Sequence, residues 1–258
     1  MTRSLILALY LALAGRADGA AHRRLARRLT EGKEDPDRLG ERFGQAGLPR
    51  PAGRLVWFHA ASVGEMLSLF ELIRRLGEAA PDAHFLVTTG TLTSAKLFAA
   101  RAPSRSLHQF APVDTRRAVR AFLDHWRPDV AVWAESELWP TMLCETHARG
   151  VPMLLVNARM SERSARRWRL LRGAAKSLLR RFELLLAQDD ATADALRRLG
   201  APAARVEVTG TLKEGAAPLP CDEAERARLA AAIAGRPVWL AASTHPGEEA
   251  AALAAHRK

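Results

Sequence analysis

A single acidic residue, Glu65, closes the turn His-Ala-Ala-Ser-Val-Gly-Glu between an apolar run and an amphipathic helical pattern. Ser62 and Gly64 permit a tight turn whose backbone N–H groups can face an anion. The helix dipole stabilises a carboxylate in the first helical turn by up to about 1 kcal/mol. Helix capping therefore explains Glu65 when the segment is considered alone. The same dipole keeps the carboxylate ionised, which also suits a general base near neutral pH.

Two more carboxylates, Glu135 and Glu137, flank a serine directly after the apolar run Asp-Val-Ala-Val-Trp-Ala. In an extended chain, a spacing of two places both side chains on the same side. Neighbouring acids repel each other, so a functional site explains them better than an exposed polar loop does. Paired acids at a strand end suit general acid/base chemistry or the orientation of a sugar hydroxyl. Trp139 and Pro140 are predicted to start the next helix, where proline is favoured early.

Two further loops carry polar residues that suit binding of an anionic or hydroxylated ligand. Asn157 and Arg159 follow another predicted strand and are expected to face one cleft, and Arg163 lies in the basic helix after them. Phosphate binding and a solvated surface explain the other arginines of this helix equally well; they are Arg166, Arg167, Arg169 and Arg172. A later strand-to-helix turn holds the predicted ligand-binding residues Ser243, Thr244, His245 and Glu248. Helix capping is the alternative for this turn.

Short apolar runs alternate with amphipathic helical patterns from Arg54 onward. The runs are LVWFHA, HFLVTTGT, LHQFAPVD, DVAVWAES, VPMLLVNAR, FELLLAQ, ARVEVTGT and RPVWLAAST. Most are too continuous for half-exposed strands and are typical of parallel strands covered on both faces. The alternation predicts an α/β fold with a doubly wound parallel sheet, which binds ligands at the carboxyl ends of its strands.

The composition is that of a globular protein with an excess of positive charge. Among 258 residues, 39 are Lys or Arg and 28 are Asp or Glu, which gives a formal net charge of +11. This charge favours anionic partners such as nucleic acid, acidic lipid headgroups or phosphorylated substrates. Aromatic residues are sparse in the basic helix and no nucleic-acid-binding module is recognised, which argues against nucleic acid. The two cysteines predict neither a disulfide nor a zinc site and fit a reducing compartment.

The amino terminus contains an apolar run, Leu5 to Ala14, that is short for a membrane-spanning helix of roughly 20 residues. Basic residues are concentrated after this run, so the body of the protein is expected on the cytoplasmic side. We favour a retained anchor or interfacial helix over a cleaved signal peptide. The predicted organisation is an anchor or interfacial segment over 1–50, an α/β domain over 51–218, and a linker helix with the beginning of a second α/β domain over 219–258.

Eight collinear segments resemble the 3-deoxy-D-manno-octulosonic acid (Kdo) transferases of Gram-negative lipopolysaccharide synthesis. The segments are GERFG, HAASVGE, FAPVDT, ESELWP, NARMSERS, AQDDATADALRRLGA, VTGTLK and RPVWLAASTHPGEE. HAASVGE resembles the family pattern H-x-x-S-V/I-G-E, ESELWP resembles E-T-E-L-W-P, and VTGTLK resembles V-T-G-N-L-K. Ser136 and Thr211 depart from these patterns, where threonine and asparagine are usual, and Glu214 stands where an aromatic residue is commoner.

This resemblance implies the GT-B architecture, in which two Rossmann-like domains face a cleft. The first would bind the lipid A precursor and the second CMP-Kdo, with inversion at the anomeric carbon and with no metal or other cofactor. The family's catalytic base corresponds to Glu65 and its second important acid to Glu135, with Glu137 beside it. Lys213, in VTGTLK, joins the residues predicted to bind substrate. The acceptor's phosphates and acyl chains would account for the arginines and for attachment to the anionic cytoplasmic face of the inner membrane.

Family members continue well beyond the position of Lys258 through a complete nucleotide-binding domain. We therefore expect this chain to contain the acceptor domain and the first part of the donor domain, and not to transfer sugar by itself. One alternative is a non-catalytic acceptor- or membrane-binding fragment of such an enzyme. Another is a GT-B sugar-nucleotide epimerase, against which the amino-terminal apolar segment and ESELWP argue.

Overall fold

The computed structural model describes residues 4–135, 137–212 and 221–257, so the predicted site residue Lys213 lies outside the described residues. The chain clusters into two compact units, Met1–Ala216 and Ala217–Lys258. The strands of the larger unit are β1 (Leu55–His59), β2 (His84–Thr89), β3 (Ser106–Phe110), β4 (Val130–Ala134), β5 (Met153–Ala158), β6 (Leu184–Ala187) and β7 (Val206–Val208). They form one sheet in the order β3-β2-β1-β4-β5-β6-β7, and all of its described pairs are parallel. The predicted doubly wound parallel sheet is confirmed.

Helices connect the strands and cover both faces of the sheet. In the larger unit they are α1 (Leu5–Ala14), α2 (Asp18–Thr30), α3 (Val63–Ala79), α4 (Leu92–Arg101), α5 (Arg116–Trp126), α6 (Pro140–Ala148), α7 (Glu162–Leu170), α8 (Arg172–Leu179) and α9 (Asp190–Arg198). Short 3₁₀ helices span Leu39–Phe43 and Ala203–Arg205. The helix predicted after ESELWP begins at Pro140, because proline fits the first helical position, where no N–H is needed.

The core lies on both faces of the sheet, as the continuous apolar runs predict. In β1, Trp57 belongs to one buried cluster and Phe58 to the other, because successive side chains of a strand point to opposite faces. The Trp57 cluster includes residues of α5, α6, α8 and α9, whereas the Phe58 cluster includes residues of α3 and α4. Burial on both faces explains why polar residues are found mainly at the strand ends.

The order of the strands reverses between β1 and β4. The chain runs from β1 through β2 to β3 on one side, then returns to place β4 on the other side of β1. The two strands are in register, with His59 opposite Trp133 near their carboxyl ends. The loops that leave neighbouring strands in opposite directions open a crevice there, which is where sheets of this type bind ligands.

The basic helix predicted after β5 is divided into two at Leu171. α7 has no buried residue, whereas α8 buries Ala174, Ala175, Leu178 and Leu179 in the main core. α8 holds an apolar face against the sheet, whereas α7 contributes the partly buried Trp168 and leaves its arginines on the surface.

The first 50 residues pack in part against the sheet domain. Leu7 of α1 is buried in the main core, and α1 contacts α6 and α8. Within the 3₁₀ helix Leu39–Phe43, the Glu41 carboxylate accepts the Phe110 N–H at the end of β3 (2.7 Å). None of the helices in the described part of the chain is both long and apolar enough to cross a membrane. The anchor or interfacial role of 1–50 stays a prediction.

The smaller unit contains α10 (Glu223–Ile233) and α11 (Glu248–His256). The strand predicted for RPVWLAAST is wrong, because no strand forms between residues 221 and 257. A parallel strand needs a neighbour for its backbone hydrogen bonds, and these residues supply none. The apolar side chains of the segment are instead exposed, with Leu240 at 85%.

Candidate active site

Glu65 lies beyond the carboxyl end of β1, in the first turn of α3, and is 8% exposed. Ser62 caps this helix: its hydroxyl accepts the Glu65 N–H (3.2 Å) and donates to Glu65 Oε1 (2.9 Å). The Ala61 N–H donates to Glu65 Oε2 at 2.8 Å. The arrangement is a variant of the capping box, because the Ser62 hydroxyl accepts the Glu65 N–H while the Glu65 carboxylate reaches back to the N–H of Ala61, one residue before the N-cap. The predicted capping role is confirmed, and it fixes the carboxylate in one orientation.

Gly64 leaves room in the turn that holds Glu65. A side-chain carbon built on Gly64 would meet no atom within 4 Å, so that side of the turn is open space. The backbone of the turn is therefore accessible to a ligand that reaches the end of β1.

Glu135 and Glu137 follow β4, the neighbour of β1 in the sheet. Glu135 has a φ of 56°, which is in the left-handed region. We predicted that both acids point to the same side because we assumed an extended chain, and that assumption is wrong at Glu135. The left-handed residue turns the chain away from the strand direction. Burial raises the pKa of Glu137, and the carboxylates of Glu65 and Glu135 raise it further. A hydrogen bond from the Trp139 side chain lowers this pKa in part. Glu137 thus interacts with carboxylates from both strand ends.

Replacing Glu137 with glutamine is expected to stabilise the chain at pH 7. Because the pKa of Glu137 is raised in the folded protein, ionisation of this carboxyl destabilises the fold as the pH rises through that folded pKa. Glutamine cannot ionise, so the variant should gain unfolding free energy over the wild type at pH 7. The stability difference between the variant and the wild type should shrink below about pH 4, where the Glu137 carboxyl is protonated in both the folded and the unfolded protein.

Urea denaturation at both pH values measures this difference. The matched control is Glu162→Gln, because the Glu162 side chain is 90% exposed and forms a surface pair with Arg166. The control should show no comparable pH-dependent gain. A Glu137→Gln variant whose relative stability is the same at pH 7 and at low pH contradicts the clustering of the three acids.

A polar pocket of about 430 Å³ adjoins this turn, between α1, α2 and the ends of β1 to β3. Its lining includes the cations Arg24, Arg28 and Arg42, the acid Asp114 and the imidazole of His59. Arg28 and Arg42 both pair with the buried Glu34, so one carboxylate is shared by two guanidinium groups. The pocket therefore carries the excess positive charge that an anionic ligand group requires.

His59 is the last residue of β1 and lines the polar pocket. Its Nδ1 lies 3.0 Å from Thr88 Oγ1, and its buried Nε2 has no hydrogen-bond partner among the described residues. Burial lowers the pKa of His59 to about 4, so the imidazole is neutral at pH 7. A neutral imidazole nitrogen is suited to a hydrogen bond with a sugar hydroxyl, and not to charge neutralisation.

An apolar cavity of about 350 Å³ lies between α1, the loop before α6, and helices α7 and α8. Glu137 and Trp139 line one side of it, and α1 contributes Ile6, Leu7 and Tyr10. Trp139 lines the polar pocket as well. The acid loop, which we define as residues 135–139 between β4 and α6, is thus bordered by a cationic pocket and by an apolar cavity.

The structure separates the roles of Asn157 and Arg159. Asn157 is 2% exposed, and its Oδ1 accepts the Leu212 N–H at 3.1 Å, so it holds the segment after β7. The expectation that its side chain faces a common cleft with Arg159 is not met, because Asn157, the last residue but one of β5, has a left-handed backbone conformation and a buried side chain. Arg159 instead lines a crevice together with Glu135.

The other described residues that were predicted to bind substrate belong to α7 and to the smaller unit. Arg163 is exposed on α7. In the smaller unit, Thr244 Oγ1 donates to Glu249 (2.7 Å) and the His245 N–H donates to Glu248 (2.9 Å), while Ser243 has a φ of 57°. Gly247, and not Ser243 or Thr244, occupies the N-cap of α11. These contacts organise the start of α11.

Sequence reasoning missed three residues of the site region, His59, Asp114 and Tyr10. His59 and Asp114 stand within HAASVGE and FAPVDT, so their motifs were recognised but their own side chains were not singled out. Tyr10 contacts Asp114 across 104 positions of sequence, and no local pattern indicates such a contact. Among the described residues, no group of three or more His, Cys, Asp or Glu side chains is arranged to hold a metal ion.

Residues 37–216 match the model of the family described as 3-deoxy-D-manno-octulosonic-acid transferase (kdotransferase). The chain is 35% identical over 253 residues to a probable mitochondrial 3-deoxy-D-manno-octulosonic acid transferase of Arabidopsis thaliana, with 96% of this chain and 57% of that protein covered. It is 37% identical over 227 residues to the Bordetella pertussis 3-deoxy-D-manno-octulosonic acid transferase, with 84% and 52% covered. The chain spans about half the length of these curated relatives.

Among solved structures, the chain is similar to UDP-N-acetylglucosamine 2-epimerase from Rickettsia bellii, with a TM-score of 0.45 and 13% identity over 63% of this chain and 46% of the other. It is also similar to the UDP-GlcNAc 2-epimerase of Neisseria meningitidis, with a TM-score of 0.45 and 11% identity over 62% and 47%.

Proposed function

Because the chain belongs to the 3-deoxy-D-manno-octulosonic-acid transferase family, we propose that it is the acceptor-binding part of an inverting GT-B glycosyltransferase. The proposed reaction transfers Kdo from CMP-Kdo to the lipid A precursor in lipopolysaccharide core synthesis. The chain spans about half the length of its relatives, and we propose that a second Rossmann-like domain holds most of the donor.

The observation that supports this proposal is the meeting of Glu65 with Glu135 and Glu137 at the reversal of strand order. Glu65 follows β1 and the other two follow β4, and their carboxylates interact. Such a crevice is where doubly wound sheets bind ligands. Like charges gathered there destabilise the fold and are retained at sites where they act on a substrate.

In the proposed reaction Glu65 is the general base. A sugar hydroxyl is a weak nucleophile, so Glu65 takes its proton while the oxygen bonds to the anomeric carbon of Kdo. The bond from that carbon to the phosphate oxygen of CMP breaks, and attack from the opposite face inverts the configuration. Ser62 and Ala61 hold the Glu65 carboxylate, whose further lone pairs remain for the acceptor. Glu137, whose carboxyl interacts with that of Glu65, is proposed to contact the acceptor sugar.

The leaving phosphate of CMP requires cations or helix amino termini. Lys213, Ser243, Thr244, His245 and Glu248 remain proposed ligands of the donor. Glu135 is proposed as the second important acid, and Arg159, which follows the neighbouring strand β5, is proposed to contact a substrate. No metal or other cofactor is part of the proposal.

The two cavities beside the acid loop suit the two parts of a phosphorylated glycolipid. The polar pocket offers Arg24 and Arg28 to a phosphate and the His59 imidazole to a hydroxyl. The apolar cavity offers a lining that is almost entirely hydrocarbon and aromatic. A lipid acceptor placed across Trp139 would bring its sugar to the acids.

We propose that the larger unit binds the anionic cytoplasmic face of the inner membrane through α1 and α7. α1 exposes Leu5, Ile6, Leu9 and Leu13, and Leu170 at the end of α7 is 83% exposed. The exposed arginines of α7 can strengthen this binding, because each basic residue near an anionic membrane surface contributes about 1 kcal/mol to the binding free energy. No nucleic acid is part of the proposal.

Replacing Leu9 with glutamate is expected to weaken binding of the chain to phosphatidylglycerol-containing vesicles by about tenfold or more. Burying a leucine side chain contributes about 1.5–3 kcal/mol, and a carboxylate adds repulsion from the anionic surface. Vesicle co-sedimentation measures the change. Leu229→Glu on α10 is the matched control, because Leu229 is similarly exposed at 49% but lies outside the proposed surface. Equal losses in both variants would contradict an interface formed by α1.

Acceptor binding is tested by titrating the chain with vesicles that contain the lipid A precursor. The control vesicles have the same total charge, supplied by phosphatidylglycerol. The proposal expects tighter binding to the precursor, and Arg28→Gln should remove this preference. The alternative, a non-catalytic acceptor- or membrane-binding fragment, expects the same binding without turnover once a donor domain is supplied. Equal affinity for both kinds of vesicle would refute acceptor recognition.

A further inference from the structure

The helix that follows the acid loop has no cap of its own. α6 begins at Pro140, which has no N–H, and the N-cap residue Trp139 makes no side-chain capping bond. The next two N–H groups, of Thr141 and Met142, donate to Asp114 at 3.0 and 2.8 Å. Asp114 lies in the turn between β3 and α5, so the amino terminus of α6 is capped by a residue from another element.

Asp114 is also bound by the amino-terminal helix. The Tyr10 hydroxyl donates to Asp114 Oδ2 at 2.8 Å, the oxygen that also accepts the Thr141 N–H. Burial raises the pKa of Tyr10, and the Asp114 carboxylate raises it further, so the phenol stays protonated as a donor. Tyr10 and Trp139 both line the apolar cavity and the polar pocket. One carboxylate therefore connects α1, the turn after β3 and the start of α6.

The acid loop joins the end of β4 to the start of α6, and the buried Leu138 packs its described part against the main core. β4 is held in the centre of the sheet by its pairs with β1 and β5. α6 starts three residues beyond Glu137, and this start is held by hydrogen bonds to Asp114. A shift of α6 at this end would move Glu137 relative to Glu65, which is fixed separately in the capping box of α3.

We propose that Asp114 is a positioning residue that sets the distance of Glu137 from Glu65, and that Tyr10 makes this position depend on the seating of α1. The seating of α1 on a lipid surface then orders the acid loop. The catalytic consequence rests on the proposed function. The contacts themselves do not, because they lie within the larger unit and involve no substrate.

The test compares Asp114→Ala, Asp114→Asn and Tyr10→Phe in the full chain by amide hydrogen exchange and Trp139 fluorescence. Asp114→Ala should speed exchange at Thr141 and Met142 about fivefold or more, as loss of a cap does, and should shift Trp139 emission. Asp114→Asn keeps one carbonyl acceptor and should restore part of the protection. The Trp139 signal is obtained as the difference from Trp139→Phe.

The matched control is Asp189→Ala, because Asp189 caps α9 through the Thr192 N–H and is not connected to α6. It should speed exchange at Thr192 and leave Thr141, Met142 and Trp139 emission unchanged. If Asp114→Ala and Asp189→Ala change Trp139 emission equally, Asp114 acts as an ordinary helix cap and the proposal is overturned.

Vesicles test the coupling to α1. Phosphatidylglycerol-containing vesicles should slow exchange at Thr141 and Met142 in the wild type and should not do so in Tyr10→Phe. The same slowing in both proteins would overturn the role of Tyr10. If the wild type transfers no Kdo when a donor domain is supplied, the proposed function fails, whereas the exchange and fluorescence results still decide the role of Asp114.

Discussion

Glu65→Gln is expected to lower the kcat for Kdo transfer by roughly 10²–10⁴-fold, the contribution of a positioned general base. Glutamine keeps the size of the side chain and suits the same capping box, so α3 should remain intact. It cannot take the proton of the acceptor hydroxyl. The assay uses residues 1–216 joined to the carboxyl-terminal half of the Bordetella pertussis relative, which we call the extended enzyme, with CMP-Kdo and the lipid A precursor as substrates.

The matched control for this prediction is Glu78→Gln in the same helix, since the Glu78 side chain is 65% exposed and forms a surface pair with Arg74. The control should keep the wild-type kcat. A Glu65→Gln enzyme with wild-type kcat would refute the assignment of the base. A variant that only raises KM would place Glu65 in acceptor binding and not in proton transfer.

The second large effect is expected for Arg42→Met, which should lower the free energy of unfolding of the larger unit by about 3–5 kcal/mol. The Arg42 guanidinium is buried and donates to Glu34 (2.9 Å), to the Gly90 carbonyl (2.7 Å) and to the Ala111 carbonyl (3.2 Å). Its carbon Cζ also lies 4.6 Å from the centre of the Phe110 ring. Methionine fills part of the volume but leaves these buried acceptors without their donor.

Urea denaturation of the chain measures the loss. Arg74→Met is the control, because Arg74 is 52% exposed and forms surface pairs with Glu71 and Glu78, which contribute little. It should change the free energy of unfolding by less than about 1 kcal/mol. If Arg42→Met costs no more than the control, the segment containing Arg42 is not part of the folded unit that holds the polar pocket.

The sheet was largely predictable because parallel strands leave a simple pattern. The seven strands in the described part of the larger unit all fall within predicted apolar runs, and most of these runs are continuous because both faces of the sheet are covered. The eighth run, RPVWLAAST, has the same pattern but forms no strand. Apolar composition marks a segment that can enter a sheet, whereas strand formation also requires a partner that the described part of the smaller unit does not provide.

The acids of the site were predictable by type and by position at strand ends, but their geometry was not. Glu65 was correctly predicted to cap α3, because a capping box is encoded within four residues. The left-handed conformation of Glu135 and the cap that Asp114 provides for α6 depend on contacts between distant elements. A single sequence carries no local signal for such contacts.

The amino-terminal segment shows the same limit. Its apolar run indicated an anchor or an interfacial helix, and the structure shows α1 with Leu7 in the core and Leu5, Leu9 and Leu13 exposed. A run that is apolar all around does not reveal which residues pack against the protein. The vesicle experiments decide whether the exposed residues meet a membrane.

Formation of the product by the extended enzyme tests the central claim most directly. Mass spectrometry of the lipid fraction after incubation with CMP-Kdo and the lipid A precursor detects addition of Kdo. We expect Kdo-modified precursor in the wild type, release of one CMP for each Kdo transferred, and at most about a hundredth of that rate in Glu65→Gln. An extended enzyme that folds, binds both substrates and leaves the precursor unmodified would contradict it.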